Sequence, residues 1–365
     1  MSFFDRLRNR LESALGTEPS DRERSDMIED YLAEQIREGD PGLALAVVSG
    51  GQAVYAAGYG LANLRGAIPI APDTMFHLAS CGKQFSGVAV LMLAEEGKLN
   101  PDDPIGEYLP ELAGFGTEVT IRELLHHTSG IRDLYDESGV QEVLARCERP
   151  TNADVIKTYV ELGCPMAGRR IKPGDQFNYS NSSYELVGSV IERVSGMSYH
   201  DFFQQRVFDP LAMKDTFSVP DRRTKDRRCA VGYDLDDANE FVENSGSDFD
   251  GLVGSGSFYT TVNDLCLYER GLRSHRLIGE ASMEEVFTGG ETADGNPTDY
   301  GFGWYVGEED GIAFAEHEGS WNGFQSYIRY YIDEPFAVFV LSNHPDIVPL
   351  DVANVAIDAY GTYEA

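Results

Sequence analysis

Strand-forming patterns lie at the two ends of this chain and helical patterns between them, and that distribution limits the possible folds more than any single motif does. Near the amino end, Leu43 to Ser49 and Gln52 to Tyr59 alternate around Gly50-Gly51 in the manner of a β-hairpin. Near the carboxyl end, Tyr300 to Val306, Ile312 to Glu316, Ser326 to Ile332 and Phe336 to Ser342 alternate or run apolar, and Pro349 to Tyr360 closes with a helix. Strands need partners. The pattern predicts one antiparallel sheet built from both termini, flanked by helices, with a mostly helical inserted region, an α/β (α+β) class. Helices are expected over Asp21 to Glu38, from Ser80 to about Gly97, over Thr120 to His127, and through much of Glu142 to Leu211 with a break at Lys172-Pro-Gly-Asp175. Residues 1–40 read as N-terminal helices and 41–365 as the main domain, with the sheet in 41–98 and 290–365 and helices in 99–289.

The charge balance excludes whole classes of partner. A formal net charge of -32 leaves no cationic face for nucleic acid or an anionic membrane. The opening Met1 to Leu11 reads as a short amphipathic helix without the uninterrupted apolar core of a secretory signal, so a cytoplasmic protein is expected. The apolar runs Val88 to Ala94 and Phe336 to Leu341 are too short to span a bilayer. Five cysteines without paired spacing suggest neither a disulfide framework nor zinc, and the histidines show no ligand spacing, so no metal or other cofactor is expected.

One local pair carries chemistry. Ser80 precedes Lys83 by three residues at the head of a strongly apolar helix, which places hydroxyl and amine on one face. A serine hydroxyl needs a base, and an amine desolvated by an apolar helix has its pKa lowered toward that role. Arginine cannot substitute, since its guanidinium stays protonated. Only 6 of the 29 basic residues are lysines, and none of the others, Lys98, Lys157, Lys172, Lys214 and Lys225, has a serine three positions earlier. Taken alone, Ser80 is also a plausible helix cap, Tyr179 a core aromatic and Asn181 a turn residue.

Further phrases follow in order: Leu124-Leu-His-His-Thr-Ser-Gly-Ile131, Gln176-Phe-Asn-Tyr179-Ser-Asn181-Ser-Ser-Tyr184, Gly254-Ser-Gly256 before a Thr-x-x-Asp264 stretch, and His317-Glu-Gly319-Ser320-Trp-Asn-Gly-Phe324. Together with Ser80-x-x-Lys83 they resemble the serine β-lactamase and penicillin-binding-protein superfamily, in its low-molecular-weight branch of esterases, D-aminopeptidases and β-lactamase-like hydrolases. The resemblance covers about Leu43 to the carboxyl end. It implies a β-lactamase/transpeptidase-like fold, with Ser80 as acylated nucleophile and Lys83 as its base. It makes Tyr179 the proton donor to the leaving group, Asn181 a donor to substrate and to Lys83, and the N–H groups of Ser80 and Ser320 the oxyanion hole. It also implies that Gly319 is bare so that the strand lies close to substrate.

This chain departs from that pattern at one place. Where penicillin-recognising members carry Lys-Thr-Gly or Lys-Ser-Gly, it has His317-Glu318-Gly319, and a largely neutral histidine holds a substrate carboxylate poorly. The expected activity is therefore acyl transfer on small esters, amides or short peptides, by a carboxylesterase or a D-amino-acid-directed aminopeptidase. A β-lactamase or D,D-carboxypeptidase is the alternative, and a ligand-binding relative without turnover is the alternative of another class. Substrate choice would rest on the loops Asp133 to Ala145 and Asp221 to Asp250. Such an acidic chain also looks adapted to concentrated salt, where screening removes self-repulsion. Its thermal midpoint should rise clearly from dilute buffer to molar potassium chloride; an unchanged midpoint contradicts salt adaptation.

Overall fold

The computed structural model describes residues 19–114, 119–135, 147, 149–162, 174, 176–219, 226–244, 246–309 and 311–361. The helix expected over Met1 to Leu11 lies outside them, as do 136–146, 220–225 and, but for Gly174, the break expected at Lys172 to Asp175. Helix α1 (Asp21–Gln35) opens with a capping box between Ser20 and Glu23, each satisfying backbone donors of the other. Strands β1 (Leu43–Ser49) and β2 (Gln52–Tyr59) form the expected hairpin, and α2 (Lys83–Glu95) follows a 3-10 turn. Helix α3 (Asn181–Ser195) begins at the Ser180 cap and ends at Gly196 in the left-handed region. Strands β3 (Tyr305–Glu309), β4 (Ile312–Trp321), β5 (Phe324–Tyr331) and β6 (Phe336–Ser342) precede the last helix, α4 (Pro349–Tyr360).

The sheet runs β3-β4-β5-β6-β1-β2, antiparallel throughout, so the two ends of the chain meet where β1 pairs with β6. Both faces are covered, which explains why β1 and β6 read as continuous apolar runs. Leu43, Leu45 and Val47 pack with Val338 and Val340 against Ile28 and Leu32 of α1 and Val352 and Ala356 of α4. Ala44, Ala46 and Val48 face the other way, into the larger core with Phe85, Val88, Leu91, Phe339 and Leu341. Helix α2 is buried on every side from Lys83 to Leu93, the central helix of that core.

Two strand expectations differ from the structure. Tyr300 to Val306 alternates like a strand, yet the ladder with β4 begins only at Tyr305, and Tyr300 folds back to bridge Tyr305. Gly303 adopts φ +89°, and a Cβ there would stand 2.5 Å from Gln84 N, so the segment coils tightly under the first turn of α2 instead of extending. In the other direction, the strand expected over Ile312 to Glu316 continues to Trp321 as β4. β3 accompanies it only as far as Glu316, which leaves residues 317–321 without a second strand neighbour.

Replacing Gly87 with alanine tests the packing of α2. The added Cβ would stand 2.3 Å from Phe302 O, and we expect a loss of about 2 kcal/mol or more in urea unfolding. A neutral substitution would contradict this packing.

Candidate active site

The chain reaches Ser80 through a strained corner. Ala79 adopts φ +50°, which costs a non-glycine residue about 1–2 kcal/mol. The corner is held by the Ala79 N–H donating to His77 Nδ1 at 3.0 Å and by Ser326 Oγ donating to Leu78 O at 2.7 Å. Two glycines make room for it. A Cβ on Gly256 would lie 2.1 Å from Ala79 O, and one on Gly319 would lie 2.4 Å from Ser326 Oγ and 2.7 Å from Leu78 O. Gly319 is thus bare because the turn carrying Ser80 lies against it, a reason the sequence reading had assigned to the substrate.

Lys83 is fully buried at the start of α2. Its Nζ lies 2.7 Å from Asn181 Oδ1, 2.8 Å from Ser255 O and 3.1 Å from Ser80 Oγ. The first two partners are carbonyl oxygens and only accept. A neutral amine has two N–H groups and one lone pair; with both N–H groups committed, the lone pair is left for the Ser80 hydroxyl proton. Burial pulls the amine down to about 7, against the opposing pull of Asp133, Glu185 and Cys81. Glu185 is itself pushed up to about 8 by burial, so near neutrality it is mostly uncharged and the field at Lys83 is milder than the net charge suggests. Asp133 accepts from the N–H of Asn181 at 3.2 Å, at the positive end of α3.

The loop entering α3 supplies Tyr179 and Asn181. The Lys83 Nζ stands 4.8 Å from the Tyr179 ring centroid. Burial raises the Tyr179 pKa far above the usual phenol range, a hydrogen bond with Ser80 opposes that rise only in part, and the phenol stays protonated near neutrality. A residue that sequence reasoning passed over fixes this loop. His127, at φ +58° and fully buried, accepts the Ser180 N–H at Nδ1 (3.1 Å), while its carbonyl accepts the Asn178 N–H (2.7 Å). Its ring packs on Tyr179 with centroids 4.4 Å apart. Ser255 was missed because only its carbonyl acts, although the flanking Gly254 (φ +113°) and Gly256 (φ +145°) mark a backbone that approaches closely.

His317 lies in the overhanging half of β4 with 2 % exposure. Its Nδ1–H donates to Glu318 O at 2.5 Å, so Nε2 is free to accept from the Tyr300 hydroxyl at 3.0 Å. Burial lowers its pKa to about 3, so the ring is neutral, and the neutral ring satisfies both contacts. The backbone of 317–321 runs beside the Ser80 turn, with Cys81 Sγ donating to His317 O at 3.0 Å. Ser80, Lys83, Tyr179, Asn181, His317, Gly319 and Ser320 therefore converge on one place. Ser80 lies at the junction of two cavities. The narrower, about 230 Å³, has walls from Tyr135, Phe249, Leu252 and Trp321; the wider, about 440 Å³, is lined by Tyr179, Tyr305, Glu318, Tyr327 and Leu350.

Comparison with known proteins bears on family and fold. The Beta-lactamase family model matches residues 25–361. The chain belongs to the beta-lactamase family. This family member is 31% identical over 315 residues to Penicillin-binding protein 4* of Bacillus subtilis (strain 168), covering 80% of this chain and 66% of the relative. It is 27% identical over 333 residues to Protein flp of Staphylococcus aureus (strain MW2), covering 87% of this chain and 62% of the relative. The chain thus spans a little under two-thirds of the length of those curated relatives. Among solved structures, the octameric penicillin-binding protein homologue from Pyrococcus abyssi aligns with TM-score 0.79 and 28% identity over 91% of this chain and 76% of that one. The D-amino acid amidase from Ochrobactrum anthropi SV3 aligns with TM-score 0.75 over 93% and 97%, at 21% identity, a likeness of fold. The fold of this beta-lactamase-family chain is the β-lactamase/transpeptidase-like one that the motifs implied.

Truncating His127 to alanine removes a buried ring and both of its roles beside Tyr179. We expect a loss of about 3 kcal/mol in urea unfolding, with less lost on replacement by asparagine, which tolerates the left-handed region. A loss below about 1 kcal/mol for alanine would contradict the clamp.

Proposed function

We propose that this chain is a serine hydrolase working through an acyl-enzyme on small esters or amides, as a carboxylesterase or a D-amino-acid-directed aminopeptidase or amidase. One observation carries the proposal: the buried Lys83 amine spends two N–H groups on carbonyl oxygens and meets Ser80 Oγ at its third position. In this reading Lys83 takes the Ser80 proton as Oγ attacks the acyl carbon. The developing oxyanion is received by the N–H groups of Ser80 and Ser320, where each donor is worth about 3 kcal/mol. Tyr179, held protonated by burial, gives its proton to the leaving group and is restored from protonated Lys83, so the net transfer is from serine to leaving group. Water then hydrolyses the acyl-enzyme by the reverse proton path. Asn181 keeps the amine in place and offers its side-chain N–H to the substrate.

Neutral His317 gives a substrate carboxylate no cation to pair with, and Glu318 beside it repels one, which disfavours lactams and peptides with a free carboxyl end. The second reading, a β-lactamase or D,D-carboxypeptidase, draws on family membership and on the relative named as a penicillin-binding protein. A binding protein without turnover has no use for a desolvated amine against a hydroxyl.

A fluorophosphonate probe should label Ser80, and Ser80→Ala or Lys83→Arg should each lower ester hydrolysis at least about a thousandfold with the fold retained. Near-normal rates in either variant would remove this mechanism. Because Lys83 must be neutral to act, kcat/KM should rise with pH through about 7 and then level; a rise only near the pKa of free lysine would contradict it.

A further inference from the structure

The wider cavity has an electrostatic character that the acyl-transfer chemistry leaves unused. Ser80 opens into it, and its walls include Glu318 but no lysine or arginine among the described residues. Its one histidine, His317, is buried and neutral, with its ring nitrogens on the Glu318 carbonyl and the Tyr300 hydroxyl. Glu318 is exposed on the overhanging part of β4, past the last residue that β3 pairs, and its carboxylate makes no ion pair or hydrogen bond among the described residues. The cation nearest in the sheet, Arg329, is already committed: it donates to Glu316 Oε2 at 2.7 Å and to Glu309 Oε2 at 3.2 Å. Tyr305 lines the same cavity, and the Glu318 charge adds to burial in raising its pKa. Two further tyrosines, Tyr179 and Tyr327, complete the walls.

We infer that Glu318 is a charge-selecting residue and that the wider cavity takes the part of the substrate that carries an ammonium or guanidinium group. This deepens the acyl-transfer reading and rests on it. The substrate class becomes cationic esters and amides, with aminoacyl compounds the simplest members, and carboxylate-bearing substrates are turned away by the same charge. Glu318 binds or repels a remote charge and takes no part in proton transfer, so its effect is a property of the substrate's charge and not of the reaction.

The test compares wild type, Glu318→Gln and Glu318→Lys on aryl esters matched in shape, with propionyl, alanyl and succinyl acyl groups, and on a second series carrying the charge on the leaving group. The readout is the ratio of kcat/KM for the cationic member to that for the neutral member within each protein, with thermal unfolding as the check on folding. Wild type should favour the cationic member about tenfold in one series, Glu318→Gln should abolish most of that preference, and Glu318→Lys should reverse it toward the anionic member. The preference should shrink in molar salt. Ser80-dependent hydrolysis with the same ratio in all three proteins would overturn the inference and leave the acyl-transfer reading standing. Absence of Ser80-dependent turnover on every member would overturn both.

Discussion

An amine buried at the first turn of α2, with two carbonyl oxygens and one hydroxyl around it, is the constraint on which the rest of the site depends. Keeping that amine protonated in the interior costs on the order of 5 kcal/mol relative to water. Folding therefore lowers its affinity for protons. Between about 7 and the value of a free lysine the unfolded chain binds more protons, so this cost to stability is full below pH 7 and fades as pH rises. The core meets that cost with α2 itself, apolar and enclosed from Phe85 to Leu93. Every partner of the amine comes from a different element: the Ser80 turn, the start of α3, and the loop between Gly254 and Gly256. The amine thus ties together three parts of the chain far apart in sequence.

The sheet supplies the fourth side. Because β4 outruns β3, its last residues carry a free backbone edge past the Ser80 turn, and Gly319 lets the two lie in contact. Ser80 and Lys83 are thus held by a strand edge and a buried helix, with the Tyr179 loop clamped between them by His127. The strain at Ala79 persists because His77, Ser326, Gly256 and Gly319 fix the corner from four directions.

Much of this was legible in the residues. The sheet of both termini followed from period-two alternation in the hairpin and the last strands, and the Ser80 and Lys83 pair from a spacing that helical geometry turns into contact. What stayed hidden was of two kinds. Backbone atoms leave no side-chain signature, so Ser255 O and the edge of β4 could not be read, and the coil at Tyr300 to Trp304 was mistaken for a strand because its aromatics alternate while its glycines decide the path. Tertiary surroundings were equally out of reach: the sequence shows His127 and His317 as histidines, but only the fold reveals that one clamps a loop and the other is kept neutral by burial.

The net charge of -32 works against the proposed role of Lys83 as a base, and two local features oppose it: burial of the amine, and burial of Glu185, which pushes that carboxyl up to about 8. The most direct test of that account is an NMR titration of the lysine side chains, with the Lys83 signal assigned by its loss in Lys83→Arg. A Lys83 amine that titrates near 7 supports the account. One that titrates at about 10, the value of a free lysine, contradicts it.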